Sequence, residues 1–385
     1  MRSILNLFHD NGQGVLLSVL ALIIFGAINI YSASYVASGS GMAIKQALWA
    51  IIGCGAIYIF SKVNYWRTEN WGMAFTILSI ALCILVRLTG EEINGARRWL
   101  DLGIIQFQPS EIAKLASAML AATYIGQTLR RGGSIKLISK TMGAILAMGV
   151  IILLQPDMGT AAIVIAIGVA LFFMGGLNSK QVRALVGVVA ASVIVCIMFA
   201  PYRMMRVLVW LGIEENRDIE YQASQAKMVI GSGGFGGAGW GGGLSKYSYL
   251  PESHTDFAFA VFCEEWGFIL TVLCIVLPFV LFTHHGFRIA KQTEDHYGKM
   301  LALGMTLLIS GQALSNMLMV MGSLPVIGVP LPFISYGGTS LVINMVCVGI
   351  LLSIHRKNKS LERAKLKREQ AEANDQQVVI TESKE

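Results

Sequence analysis

A polytopic all-α membrane protein is the fold class that three observations predict. The 385 residues are 55% hydrophobic and only 14% charged, with mean hydropathy +0.62, far more apolar surface than one soluble core can hide. Ten apolar segments recur along the chain, and each is close to the roughly 20 residues that cross a hydrocarbon core of about 30 Å. The basic residues gather in short clusters between these segments, which is how topology is written in a membrane protein.

The segments fall at 14–34, 44–61, 70–88, 111–129, 140–154, 158–176, 182–200, 256–283, 299–321 and 338–355. The first is followed by Ser32-Ala33-Ser34, which resembles a cleavage site. Its apolar run is long for a signal peptide and little positive charge precedes it, so it is expected to be a helix. Pro109 and Ser110 signal the start of the fourth, and Pro156 and Asp157 form a tight turn and cap before the sixth. Ten crossings put both termini on one side. With the termini inside, the inner loops and tails hold 20 of the 30 basic residues, from Arg2 to Lys384. Both termini are therefore expected to be cytoplasmic. Residues 1–355 read as one membrane domain, and 356–385 as a basic and polar tail, either a solvated helix or disordered.

The outer side then carries 89–110, 201–255 and 322–337. The middle one is too long for a mere connection, and aromatics such as Tyr202, Trp210 and Tyr249 interleave its charges, so it is expected to fold onto the membrane surface. In the last, Pro325, Pro330 and Pro332 predict a rigid re-entrant segment. Irregular backbone at that depth is tolerated where protein buries it or it lines a wet cavity. All six cysteines, including Cys196, fall in apolar stretches without metal-ligand spacing and read as packing residues. The net charge of +7 belongs to the topology clusters, and nucleic acid is not an expected partner.

The chemistry is expected where the long outer loop meets the eighth segment. Asp256 sits at that junction, as a helix cap, as a general base at the outer surface, or as both. Glu264 and Glu265 follow within the segment on roughly opposite faces. Carboxylates inside a bilayer are expensive, so each is either paired with a cation or functional. Glu111 and Lys114 share a face at i, i+3, as a local ion pair or with Lys114 as a phosphate ligand. Arg97 and Arg98 lie outside, against the usual bias, and adjacent arginines beside Trp99 suit a lipid diphosphate. Asp157 reads as a turn cap. The glycine run 231–243 contains G-x-G-x-x-G, but no strand precedes it and there is no G-K-[ST], so a nucleotide is not expected.

Taken together, NGARRWLDLG at 94–103, FQPSEIAKLA at 107–116, QPDMGTA at 155–161, IGSGG at 230–234, YLPESHTDFAFAVFCEEWG at 249–267 and LPVIGVPLPFISYGGTS at 324–340 resemble the SEDS family (shape, elongation, division and sporulation) over nearly all of 14–355. Within it the chain looks most like the elongation type, RodA, and less like the division type, FtsW. The glycine loop departs from the RodA pattern, reading Gly237-Ala238-Gly239 and Gly243-Leu244-Ser245, with Ser245-Lys246 nearer the division type. The resemblance implies a ten-helix, multi-pass protein of the bacterial plasma (inner) membrane that polymerises lipid II into peptidoglycan strands. It implies Asp256 as the base and undecaprenyl diphosphate as the leaving group. Arg97, Arg98 and Lys114 would hold the diphosphate, Glu111 would orient Lys114, and Glu252, His254, Glu264 and Glu265 would support the site. A divalent cation, Mg or Mn, is an optional companion rather than a required cofactor. The implied partners are lipid II, the growing glycan, a class B penicillin-binding protein, other elongation-complex proteins and membrane lipids. Two readings stay open beside this one: a flippase for the same lipid-linked precursor, and a non-catalytic scaffold for the penicillin-binding protein.

Overall fold

A computed structural model describes residues 10–382 other than 94–95, 102, 104–105, 199–200, 215–216, 246 and 248–249. Arg2, Asn94, Gly95, Lys246, Tyr249, Lys384 and the side chains of Cys196 and Tyr202, used above, lie outside that description.

A helix occupies each of the ten apolar segments. In chain order these are α1 (Asn11–Ser38), α2 (Gly41–Lys62), α3 (Trp71–Thr89, after a 3-10 turn at Tyr65–Asn70), α4 (Pro109–Arg130), α5 (Lys140–Leu153), α6 (Met158–Met174) and α7 (Ser179–Met198). The long stretch after α7 then contributes two helices of its own, α8 (Pro201–Trp210) and α9 (Arg217–Gly233). Three long elements finish the chain: α10 (Ala258–Thr271) running through a π turn at Val272–Val276 into α11 (Leu277–Gln292), then α12 (His296–Val320) and α13 (Gly338–Glu382). Among the described residues, six stretches are long and apolar enough to cross a membrane, 11–36, 41–62, 65–89, 258–292, 296–320 and 338–372. Helices α5 and α6 are apolar but shorter.

The helix α4 is the axle of the bundle. It is buried almost all round and packs against α3, α5, α6, α12 and the membrane half of α13. Its alanines and Gly126 make this possible, since without a hydrophobic drive inside lipid, helices associate where small residues let backbones close in. A Cβ on Gly126 would lie 2.7 Å from the Tyr297 Cα, and one on Gly72 of α3 would lie 3.1 Å from the backbone of α4. Around this axle α2 lies along α13, and α1 along α11.

Two departures from the sequence reading position the site. A small antiparallel sheet, β1 (Glu91–Ile93), β2 (Ala96–Asp101) and β3 (Gln106–Phe107), lies between α3 and α4. The eighth helix starts at Ala258, leaving Asp256 in the loop ahead of it, and it is interrupted at Gly267 (φ 69°, ψ 179°). The last helix runs on without a break into the polar tail, because its Lys, Glu, Gln and Ala are strong helix formers. Of the described cysteines Cys83, Cys263 and Cys347 are buried and Cys54 is exposed on the outside of the bundle.

Candidate active site

The site is assembled from irregular backbone, and proline and glycine explain why. Between α12 and α13 the residues 324–331 carry no regular structure. Pro325, Pro330 and Pro332 cannot donate to any ladder, so carbonyls here must find donors elsewhere. Ahead of α10, the loop holding Asp256 is closed on itself: the amides of Thr255 and Phe257 both donate to the Glu252 carbonyl at 3.2 Å. The Thr255 hydroxyl donates to the Glu252 carboxylate at 2.6 Å. Glu252 (φ 54°) and Phe333 (φ 65°) are held in left-handed backbone, one in each segment. Such residues are strained by about 1–3 kcal/mol and persist only where their surroundings over-determine them.

The two segments meet at Asp256. A Cβ placed on Gly328 (φ +69°) would lie 3.3 Å from Asp256 Oδ2, so the carboxylate rests against a bare glycine Cα. The Tyr336 amide donates to the His254 carbonyl at 2.9 Å, and the two rings lie with centroids 6.2 Å apart. Helix α6 closes the same spot from another side. A Cβ on Gly159 would lie 2.5 Å from Val329 Cγ2 and 2.8 Å from the Ile327 carbonyl oxygen. Asp157 caps α6 by accepting from the Thr160 amide (3.2 Å), and takes further bonds from Gln108 Nε2 (3.2 Å) and Ser110 Oγ (3.4 Å). It is a buried, satisfied cap.

The neighbouring arginines part company. Alternation along β2 sends successive side chains to opposite faces. Arg98 turns inward, its Nε donating to the Gln155 carbonyl at 3.3 Å and its Nη2 to the Pro156 carbonyl, beside the Asp157 cap. Arg97 pairs with Glu92 at 3.6 Å, half exposed, in a hollow of about 400 Å³ lined also by Arg87 and Leu88. A third cation arrives from α8: Arg206 Nη1 donates to the Val326 carbonyl at 2.6 Å, two residues from the glycine under Asp256. Asp256 itself is half-buried and lies outside the stretch that begins at Ala258. Burial, then the Glu252 carboxylate, push its carboxyl up to about 7 against the pull of Arg98; Asp157 adds to the rise and Arg206 opposes it.

Lys114 and Glu111 do form the i, i+3 pair, at 2.8 Å, but both side chains are almost wholly buried, 1% and 2% exposed. The Lys114 ammonium also donates to Gln312 Oε1 at 2.7 Å, and Gln312 Nε2 in turn donates to the Pro330 carbonyl at 2.8 Å. Lys114 therefore sits behind the site, supporting the proline segment through Gln312, and is not brought out beside Arg98.

Glu264 and Glu265 do face opposite ways, both buried. Glu264 accepts from the Leu244 amide (2.8 Å), the Ser245 amide (3.3 Å) and the Ser245 hydroxyl (2.5 Å). The carbonyls of Glu264 and Glu265 accept from the amides of Ala238 and Gly239 at 2.8 and 3.0 Å. The glycine run thus wraps onto the broken helix, and it needs bare Cα atoms to do so, because a Cβ on Gly237 would lie 2.3 Å from the Glu265 carbonyl oxygen. Glu265 accepts from Ser32 Oγ of α1 at 2.5 Å. Replacing Glu264 by Ala strands buried donors at about 1–3 kcal/mol each. The expected result is a lower thermal midpoint in detergent and faster proteolysis within 234–250.

Among the described residues no group of three or more His, Cys, Asp or Glu could hold a metal ion, and the oxygens of Asp157 are already engaged. Sequence reasoning missed Arg206, Gln312 and Asn316. The last two stand at i, i+4 in an otherwise apolar helix, a spacing that marks one polar stripe inside the membrane and was there to be read.

Residues 13–360 match the family model described as "Cell cycle protein", which groups FtsW, RodA and SpoVE. The peptidoglycan glycosyltransferase MrdB of Escherichia coli K12 is 35% identical over 354 residues, covering 91% of this chain and 95% of that protein. The solved structure described as "Structural coordination of polymerization and crosslinking by a peptidoglycan synthase complex" superposes with TM-score 0.74 at 25% identity, over 90% of this chain and 97% of that one. The crystal structure of the rod shape determining protein RodA of Thermus thermophilus gives TM-score 0.66 at 26% identity, over 90% and 96%. A multi-pass helical bundle carrying the family's motifs in order, this chain belongs to the FtsW, RodA and SpoVE family of cell-cycle proteins.

Proposed function

We infer that this protein is a peptidoglycan glycosyltransferase of the bacterial inner membrane, and that it joins lipid II units at the outer face with Asp256 as general base. The observation that carries this reading is one half-buried carboxyl, raised to about 7 and electrostatically coupled to Arg98 and Arg206, whose guanidinium groups are anchored on backbone carbonyls. An inverting transfer of this kind needs one base and strong support for the departing charge. The acceptor sugar hydroxyl gives its proton to Asp256 as its oxygen attacks the anomeric carbon, and the bond to the undecaprenyl diphosphate breaks. Arg98, with Arg206 across the site, supports the leaving diphosphate. Glu252 and His254 hold the Asp256 loop in shape, and Glu264 and Glu265 hold the glycine run.

The topology that serves this chemistry has ten crossings, α1 to α7, α10 with α11 as one, α12, and the apolar half of α13. Both termini are cytoplasmic, and α8 and α9 lie on the outer surface. The similarity to RodA and MrdB supports an elongation role, with a class B penicillin-binding protein as the cross-linking partner; division is the alternative role within the family.

Strand alternation separates the two arginines functionally. Arg98→Ala is expected to lower kcat for polymerisation by about 10²-fold or more, the scale of losing one group that stabilises developing charge, while Arg97→Ala stays within about threefold of wild type. Equal losses would place both on one diphosphate. The function itself is tested by giving the purified protein, with and without its penicillin-binding partner, labelled lipid II with cross-linking blocked. Glycan polymer is the expected product. Lipid II crossing a vesicle bilayer with no polymer formed would favour the flippase, and neither outcome in a folded complex would favour the scaffold.

A further inference from the structure

Asn316 is fully buried in α12, 0% exposed, and its single amide nitrogen donates two hydrogen bonds. One goes to the Asp256 carbonyl at 2.8 Å and the other to the Val329 carbonyl at 2.6 Å. Two carbonyl partners leave no choice of orientation, since only the NH2 end of the carboxamide can donate. The bonds join the residue that bears the carboxyl to the residue that follows Gly328, on which that carboxyl rests.

The backbone explains why a side chain must do this. The Asp256 carbonyl precedes the helix, where the Ala260 amide bonds Phe257 instead, at 2.9 Å. The Val329 carbonyl lies beside Pro330, in a segment whose prolines supply no N–H. A buried carbonyl without a donor is costly, and α12 meets both needs from one position. One turn earlier on the same face, Gln312 does the same for Pro330. The other direct bond across this junction, from the Tyr336 amide to His254, holds the loop two residues away and does not fix Asp256 itself.

We propose that Asn316 is a positioning residue for glycosyl transfer, setting the Asp256 carboxylate over Gly328 by bridging the 250–257 loop and the 323–337 segment. This rests on the assignment of Asp256 as the base. Asn316 touches neither substrate nor reacting atom; it acts by keeping the base in register with the acceptor hydroxyl. A displacement of about 1 Å at such a group is enough to lower the rate about 10²-fold.

The test uses the full chain in complex with its penicillin-binding partner. Asn316→Ala, Asn316→Ser and Asp256→Asn are compared with wild type for thermal midpoint, for kcat and KM with lipid II, and for the acid limb of kcat against pH. Ala removes both donors, and Ser keeps one hydroxyl donor. The expected result is a kcat about 10- to 100-fold lower in Ala with KM within about threefold, a shifted acid limb, and partial recovery in Ser. That pattern marks an effect on the reacting carboxyl, not on substrate binding. A folded Ala variant with wild-type kcat and acid limb overturns the proposal, as does a change confined to KM. Failure of both variants to fold assigns Asn316 to folding alone and also overturns it. An active Asp256→Asn chain would sink the base assignment itself, whereas an inactive one beside unaffected Asn316 variants would sink only the positioning role.

Discussion

Asp256→Asn is expected to lower polymerisation by about 10²- to 10⁴-fold, the range that general base catalysis contributes, while leaving the fold and lipid II binding nearly intact. The carboxamide has the shape of the carboxylate and can sit over Gly328 in the same way. Each neighbouring guanidinium keeps a backbone bond of its own: Arg98 to the Gln155 and Pro156 carbonyls, and Arg206 to the Val326 carbonyl. The backbone carbonyl of residue 256 still receives Asn316. Removing the base therefore removes a proton acceptor and little else, so a gel assay for glycan polymer should go blank while the thermal midpoint moves by only a degree or two. A large fall in midpoint would instead make Asp256 a structural residue of the loop.

The second large effect concerns stability. Lys114 and Glu111 are an ion pair sealed inside the bundle, and breaking a buried pair from one side typically costs about 3–5 kcal/mol, because the remaining charge is left without its partner. Lys114→Met and Glu111→Leu are each expected to lower the thermal midpoint sharply and to reduce recovery of folded protein. The double variant is expected to regain much of that loss, since an apolar pair of similar volume replaces an ionic one at little net cost. Its catalytic rate should stay below wild type, because Gln312, which holds the Pro330 carbonyl, no longer has the ammonium to fix its orientation. If the double variant were as stable as wild type and fully active, Lys114 would have no part in arranging the site. A Lys114 variant that folds normally and only raises KM would return the ammonium to the diphosphate.

The helices were largely legible because hydrophobic runs of membrane length need no partner to be recognised. Their ends were less so: α1 extends to Ser38 beyond the expected residue 34, and α13 continues past the apolar run that ends at 355, to Glu382, so the tail takes the helical of its two expected forms. Polar helix formers continue a helix that hydropathy alone would end. Asp256 was visible as a carboxylate where a polar loop meets an apolar helix, and Glu111 with Lys114 as a pair at i, i+3. What stayed hidden was direction. Nothing in an Arg-Arg pair says that a strand of six residues will turn one side chain to the site and the other to Glu92. Arg206 lay in a stretch that read as a surface loop. Its part in the site depends on α8 returning over the Val326 carbonyl, a contact between residues 120 apart in sequence that no local pattern encodes.

The most direct test of the central claim is the pH dependence of polymerisation by the wild-type complex. With the Asp256 carboxyl raised to about 7, the proton-accepting form is the minority below that pH and dominant above it. The rate should fall tenfold per unit on the acid side and level off above about 8; at pH 5 only about 1% of the base remains ionised. The residual rate of Asp256→Asn should lack this limb. An acid limb centred near 4, or one near 7 that persists unchanged in Asp256→Asn, would contradict the assignment of Asp256 as the base.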